Sequence, residues 1–232
     1  MNDNKQEKNI NDNTKDEKKP CSKRKIILFD LDSTLIDCEV IDELGRLNNV
    51  EKEVEQITKD AMDGKLEFEQ ALEKRVQLLK GLSEKQILEF LESIQLMNGA
   101  KETLFKLKEN GYITGVVSGG FTFATERIKD VLNLDYQFAN ELVYKDGKLT
   151  GEVIKNVSSK LAKGEILTKI AEKENIDLKD TVVVGDGAND ISMFNIAGLG
   201  IAFCAKPILK DRADYCIDEK DLSNILKILK IE

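Results

Sequence analysis

The sequence predicts an α/β fold: a Rossmann-like parallel sheet with helices on both faces and an inserted helical cap. Three observations carry that prediction. Short apolar runs of buried-strand length alternate with longer segments of helical periodicity, the pattern of parallel strands joined by helical crossovers. Polar and glycine residues gather directly after those runs, as Asp30-Leu31-Asp32, Ser118-Gly119-Gly120 and Gly185-Asp186-Gly187, where open α/β sheets bind ligands. One long stretch, residues 40–95, is helical throughout and interrupts the alternation after the first strand.

Taken in order, residues 1–24 offer only Met1, Ile10 and Cys21 as apolar groups among charges of both signs. That is too little to offset the entropy of ordering, so they are expected to be a disordered N-terminal tail. From Lys25 the pattern changes. Lys25–Phe29, Tyr112–Val117, Thr181–Val184 and Leu199–Phe203 read as buried strands, with Tyr215–Ile217 a short fifth. Helical patterns occupy 98–110, 121–132, 160–175, 188–197, 207–212 and 221–230. Residues 136–154 read as a hairpin turning at Lys145-Asp146-Gly147-Lys148. The expected organisation is a catalytic core of 25–39 and 96–232, with 40–95 as the cap.

Composition narrows the chemistry. The chain has 232 residues, 35 basic against 43 acidic, for a net charge of −8. That balance argues against a bulk electrostatic grip on nucleic acid or an anionic membrane, and no apolar run is long enough to span a bilayer. There is no histidine. Ser-His-Asp and Cys-His catalysis and His-ligated zinc are therefore excluded, and any general acid or base must be Asp, Glu, Lys, Cys or Tyr. Cys21, Cys38, Cys204 and Cys216 form no C-x-x-C pair, so idle thiols in a reducing cytoplasm are the expectation.

Two carboxylates, Asp30 and Asp32, stand two residues apart just past the first strand, and Asp186 and Asp190 follow another. A polar strand end with Asp32 or Ser33 capping a turn explains the first pair equally well taken alone. Four carboxylates at one sheet edge repel unless a cation is present, and an oxygen-only set suits a hard ion such as Mg²⁺. Asp190 also reads as an acidic residue at a helix N-terminus, and Ser118 as a helix N-cap. Lys163 opens a helix, where the dipole disfavours a cation; a bound phosphate would remove the conflict, as would plain solvation. In the cap, Phe68, Leu72, Val76 and Leu79 share one helix face, and Arg75 lies within about 60° of it. A guanidinium there needs a partner, which either a ligand carboxylate or an internal ion pair with Glu39 would supply. Met62 and Phe68 read as pocket lining or as core.

Asp30-Leu31-Asp32-Ser33-Thr34, Ser118-Gly119-Gly120, Lys163 and Gly185-Asp186-Gly187-Ala188-Asn189-Asp190 resemble, in order, the four motifs of the haloacid dehalogenase-like phosphatase superfamily. The likeness covers about residues 25–230. It implies a Mg²⁺-dependent phosphomonoesterase in which Asp30 is the nucleophile, forming an aspartyl-phosphate. Asp32 would be the proton donor and acceptor. Asp30, Asp32 and Asp186 would hold Mg²⁺, with Asp190 fixing the metal's water shell. Ser118, Gly119, Lys163 and Asn189 would bind the phosphate. Glu39, Arg75 and their surroundings resemble the branch whose substrate is O-phospho-L-serine, Glu39 taking its ammonium and Arg75 its carboxylate, in the last step of serine biosynthesis. The only partner implied is that small molecule, with no nucleic acid or membrane; the oligomeric state is left open. A related phosphatase or phosphotransferase on another small ester, and a non-catalytic phospho-ligand sensor, are the alternatives.

Overall fold

A computed structural model describes residues 24–62 and 65–232, with the side chain of Met62 excepted. The expected tail, apart from Arg24, lies outside the described residues. So does the pocket role of the Met62 side chain.

Seven strands form one sheet: β1 (Lys25–Phe29), β2 (Tyr112–Phe121), β3 (Tyr136–Lys145), β4 (Lys148–Ile154), β5 (Thr181–Gly185), β6 (Leu199–Phe203) and β7 (Tyr215–Ile217). Their order is β4-β3-β2-β1-β5-β6-β7. Every neighbouring pair is parallel except β3 with β4. The chain leaves β1 first for β2 on one side and later for β5 on the other. The carboxyl end of β1 is therefore the topological switch point, where such sheets open a crevice.

Strand alternation divides the core into two layers. Ile27, Phe29, Val116 and Val184 face α5 (Ala100–Glu109), α6 (Thr122–Leu132) and α10 (Asn224–Leu229). Ile26, Leu28, Val117 and Val183 face α7 (Ala162–Glu174) and α8 (Ile191–Phe194). Because both faces are covered, the strands are continuously apolar.

Between β1 and α5 the expected insertion is four helices: α1 (Val40–Leu47), α2 (Glu51–Met62), α3 (Phe68–Leu78) and α4 (Glu84–Ser93). Their apolar face does not form a core of its own. Leu44, Leu72, Val76 and Leu79 are buried in the same cluster as the first sheet layer. The turn between α3 and α4 also pairs with the hairpin: Gly81 N–H donates to Leu149 O and Leu149 N–H to Leu82 O, each at 2.9 Å. The hairpin itself turns at Asp146 (φ 52°) and Gly147 (φ 71°), two left-handed residues, which suits the twist of its strands.

Several boundaries differ from those the sequence suggests. β2 continues through Ser118-Gly119-Gly120 to Phe121, because Phe121 pairs with Asn140 of β3 beyond an irregularity in register. The 188–197 helix splits into a 3₁₀ turn (Ala188–Asp190) and α8, where the Asp190 carboxylate folds back onto Gly187. The last helix begins at Asn224, not 221. The short segment Pro207–Lys210 is α9, with proline in its first turn.

Candidate active site

The site is built at the ends of β1, β2 and β5. After Phe29 the backbone does not stay extended: Leu31–Leu35 form one wide turn, closed by Ile36 N–H donating to Leu31 O at 3.1 Å. Asp32 (ψ 135°) and Ser33 (φ 55°) depart from helical geometry within it. It is this turn that places Asp30 and Asp32 on one crevice.

Asp30 is 2% exposed. One carboxylate oxygen accepts from Leu31 N–H at 2.7 Å and pairs with Lys163 Nζ at 2.8 Å; the other accepts from Asn189 Nδ2 at 3.0 Å. Asp190 is fully buried, with Oδ1 2.6 Å from Lys163 Nζ and Oδ2 accepting from Asp186 and Gly187 N–H at 3.0 and 3.1 Å. Lys163 is thus neither a solvated surface lysine nor opposed by its helix alone. Burial works against its ammonium, but Asp190 and Asp30 outweigh burial and hold its pKa above the usual lysine range.

Lys163 pairs with two of three clustered carboxylates, and the charge of Lys206 acts on the third, Asp186. Oxygens of Asp30, Asp186 and Asp190 lie within 4.8 Å of one another. Burial first, then the Asp30 charge, push Asp186 up to about 6 and Asp190 up to about 7. Raised carboxyls in an oxygen-only cluster mark surplus negative charge, which a hard cation would neutralise. The residues fit a metal ion.

Asp32 sits beside this cluster. Its Oδ1 accepts from Val40 N–H at 2.8 Å and its Oδ2 from the Ser118 hydroxyl at 3.2 Å. Burial, reinforced by Glu39 and Asp30, pushes Asp32 up to about 8. Ser118 is buried within β2 and accepts from Gly120 N–H at 2.8 Å. The N-cap of α6 is Phe121, so Ser118 is not a helix cap. A Cβ on Gly119 would stand 3.1 Å from the Phe68 ring, so the first residue of α3 reaches over the glycine loop and is not simply core.

Glu39 and Arg75 do not form the internal ion pair that the sequence allowed. Glu39, an exposed residue, accepts from the Ser33 hydroxyl at 2.8 Å. Arg75 is half-buried and donates to Ala71 O and to Thr58 Oγ1, both at 3.3 Å. Among the described residues no carboxylate lies within ion-pair distance of it. Desolvation therefore lowers its pKa, against the pull of Asp42, Glu39 and Asp32.

The sequence reading overlooked Asn140. It lies fully buried in β3 and donates to Gly119 O at 2.9 Å. Its one signal is an asparagine inside a strand, a residue type that strands disfavour.

An open α/β sheet with a helical insertion, its switch point lined by paired aspartates, a strand-end serine and a buried lysine, defines a phosphoryl-transfer hydrolase of the aspartate class. A family model described as haloacid dehalogenase-like hydrolase matches residues 24–198, and the chain belongs to that family. A phosphoserine phosphatase of Methanocaldococcus jannaschii is 59% identical over 208 residues, covering 90% of this chain and 99% of that protein. A solved structure described as a phospho-aspartyl intermediate analogue of phosphoserine phosphatase superposes with a TM-score of 0.85. It is 59% identical and covers 89% of this chain and 99% of that one. A substrate-bound phosphoserine phosphatase complex gives a TM-score of 0.85 at 58% identity, covering 89% and 98%. No helix among the described residues is long and apolar enough to cross a membrane.

Proposed function

We propose that the protein hydrolyses O-phospho-L-serine to L-serine and phosphate through an aspartyl-phosphate on Asp30, as the last step of serine biosynthesis. One observation carries the chemistry: a charge-paired, hydrogen-bonded Asp30 stands beside Asp32, a carboxyl raised to about 8. The first is fixed for attack, and the second holds a proton near neutral pH.

Asp30, Asp186 and the Asp32 backbone carbonyl would hold a divalent ion, Mg²⁺ by the hardness of the donors, with Asp190 ordering its water. When bound, the ion supplies positive charge between the carboxylate nucleophile and the phosphate dianion. Lys163, Asn189, the Ser118 hydroxyl and the Gly119 N–H orient the phosphate with its serine oxygen opposite Asp30. The Asp30 carboxylate forms a bond to phosphorus as the bond to the serine oxygen breaks, and Asp32 gives its proton to that oxygen. Asp32, now a carboxylate, takes a proton from water. That water attacks the aspartyl-phosphate, releasing phosphate and restoring Asp30.

Residues 40–95 act as the cap that covers the substrate and excludes bulk water. Arg75, held by a carbonyl and a hydroxyl, keeps its charge for the substrate carboxylate. Glu39 takes the ammonium. Cys38, Cys204 and Cys216 are free thiols, which supports a cytoplasmic setting.

The test is phosphate release from a panel of phosphorylated metabolites, with Mg²⁺ and with chelator. O-phospho-L-serine should be the best substrate and chelation should stop turnover. Preference for a sugar phosphate, or full activity in chelator, would overturn the reading.

A further inference from the structure

The pairing of β2 with β3 breaks where the phosphate loop begins. Val117 pairs with Phe138 and the next pair is Phe121 with Asn140, so three residues of β2, Ser118 to Gly120, face the single Ala139. A bulge of this kind takes backbone groups out of the ladder, and the orphaned ones need other partners. The Asn140 side chain meets that need. Its Nδ2 donates to Gly119 O at 2.9 Å and to Val157 O at 3.2 Å, while its Oδ1 accepts from Asn156 N–H at 2.9 Å and Val157 N–H at 2.8 Å. Two carbonyls on one end and two N–H groups on the other fix the amide's orientation and use its full capacity. Asn140 is 0% exposed, so none of these bonds is shared with solvent.

We propose that Asn140 is a positioning residue for phosphate: its carboxamide replaces the missing strand partner of Gly119 and holds the Gly119–Gly120 peptide plane, whose N–H donates to the Ser118 hydroxyl and so sets the group that meets the phosphate. The inference rests on the proposed phosphate roles of Ser118 and Gly119 and assigns the group that fixes the loop they share. Because the carbonyl and the following N–H belong to one peptide plane, anchoring Gly119 O also limits rotation of the Gly119–Gly120 peptide. Two consecutive glycines would otherwise leave the loop free to turn. The same side chain fixes Asn156 and Val157, the segment leading to α7 and Lys163. One buried amide thereby joins two walls of the phosphate site.

The experiment replaces Asn140 by Asp and, separately, by Ser. Asn140→Asp keeps an acceptor for Asn156 and Val157 N–H but cannot donate to Gly119 O when ionised. The readouts are the inhibition constant of inorganic phosphate and kcat/KM for O-phosphoserine and O-phosphoethanolamine, alongside Tm. Leu107→Ala, buried in α5 against the other face of the sheet, supplies a matched loss of Tm. Both Asn140 variants should weaken phosphate about tenfold to a hundredfold, the scale of a buried partner left unmade, and lower kcat/KM for the two esters by the same factor. Leu107→Ala should leave the phosphate constant unchanged. A phosphate constant within about twofold of wild type in a folded Asn140 variant would overturn the inference, because a lost anchor is worth more than that. Failure of both variants to fold would also overturn it, placing Asn140 in fold maintenance alone. If the wild-type protein neither hydrolyses the esters nor binds phosphate, the functional reading itself fails.

Discussion

The floor of the crevice and the helical layer above it satisfy their polar groups in opposite ways. On the floor, Asp30, Lys163 and Asp190 are almost fully buried and answer one another at 2.6–2.8 Å. Each is held in one geometry before any substrate arrives, which is what phosphoryl transfer demands of a nucleophile and its neighbours. In the layer above, among the described residues, the Arg75 guanidinium donates to two neutral groups at 3.3 Å and Glu39 accepts from a serine hydroxyl. In the proposed reaction those charges are kept for the substrate. On the proposed function the contrast separates groups that would perform the reaction from groups that would choose the molecule, so each should be removable without the other.

The largest effect is expected on the floor. Asp30→Asn should abolish turnover while the fold stays intact, since the amide cannot attack phosphorus. Steady-state phosphate release with circular dichroism checks this, and full activity would remove the aspartyl-phosphate from the account. Asp32→Asn should slow turnover of O-phosphoserine by a factor on the order of 10²–10⁴, the usual contribution of a positioned proton donor. An aryl phosphate, whose leaving group needs less protonation, should lose much less in the first step. Equal slowing of phosphoenzyme formation for both esters would assign the proton to another group.

A smaller effect concerns stability. Asp32, Asp190 and Asp186 stand at about 8, 7 and 6 against 3.8 for an ordinary aspartate. Between these limits the folded protein without metal binds more protons than the unfolded chain, so its stability falls as pH rises from about 4 to about 8. In chelator, Tm should drop across that range. Asp32→Asn should flatten the drop and raise Tm at its alkaline end. Divalent metal, which favours the ionised carboxylates, should do likewise for the wild type. A Tm that climbs with pH in chelator would show that these carboxyls are not held protonated.

The same contrast governs what the sequence made legible. The floor was readable because its residues are tied to strand ends: Asp30, Ser118 and Asp186 each follow an apolar run, and the switch point brings such ends together. The ion pairs of Lys163 were less so, since its place at a helix start indicated only a conflict needing an anion. The burial of Arg75 against an apolar stripe followed from helical spacing, but its lack of a carboxylate partner did not. That depends on how α1, α2 and α3 pack, which periodicity cannot fix. Asn140 escaped because a bulge is a matter of pairing between strands, and neither strand announces it alone. The continuation of β2 through two glycines was hidden for the same reason.

The separation of chemistry from choice is tested most directly by comparing three esters on three proteins. These are O-phosphoserine, O-phosphoethanolamine and 3-phospholactate, each measured as kcat/KM on the wild type, Arg75→Ala and Glu39→Gln. Arg75→Ala should cost O-phosphoserine and 3-phospholactate roughly 30-fold or more, the scale of a lost charge-assisted contact, and spare O-phosphoethanolamine, which has no carboxylate. Glu39→Gln should injure the two amine-bearing esters and spare 3-phospholactate. Uniform losses across all three esters would contradict the account, making Arg75 and Glu39 supports of the fold and not readers of the substrate.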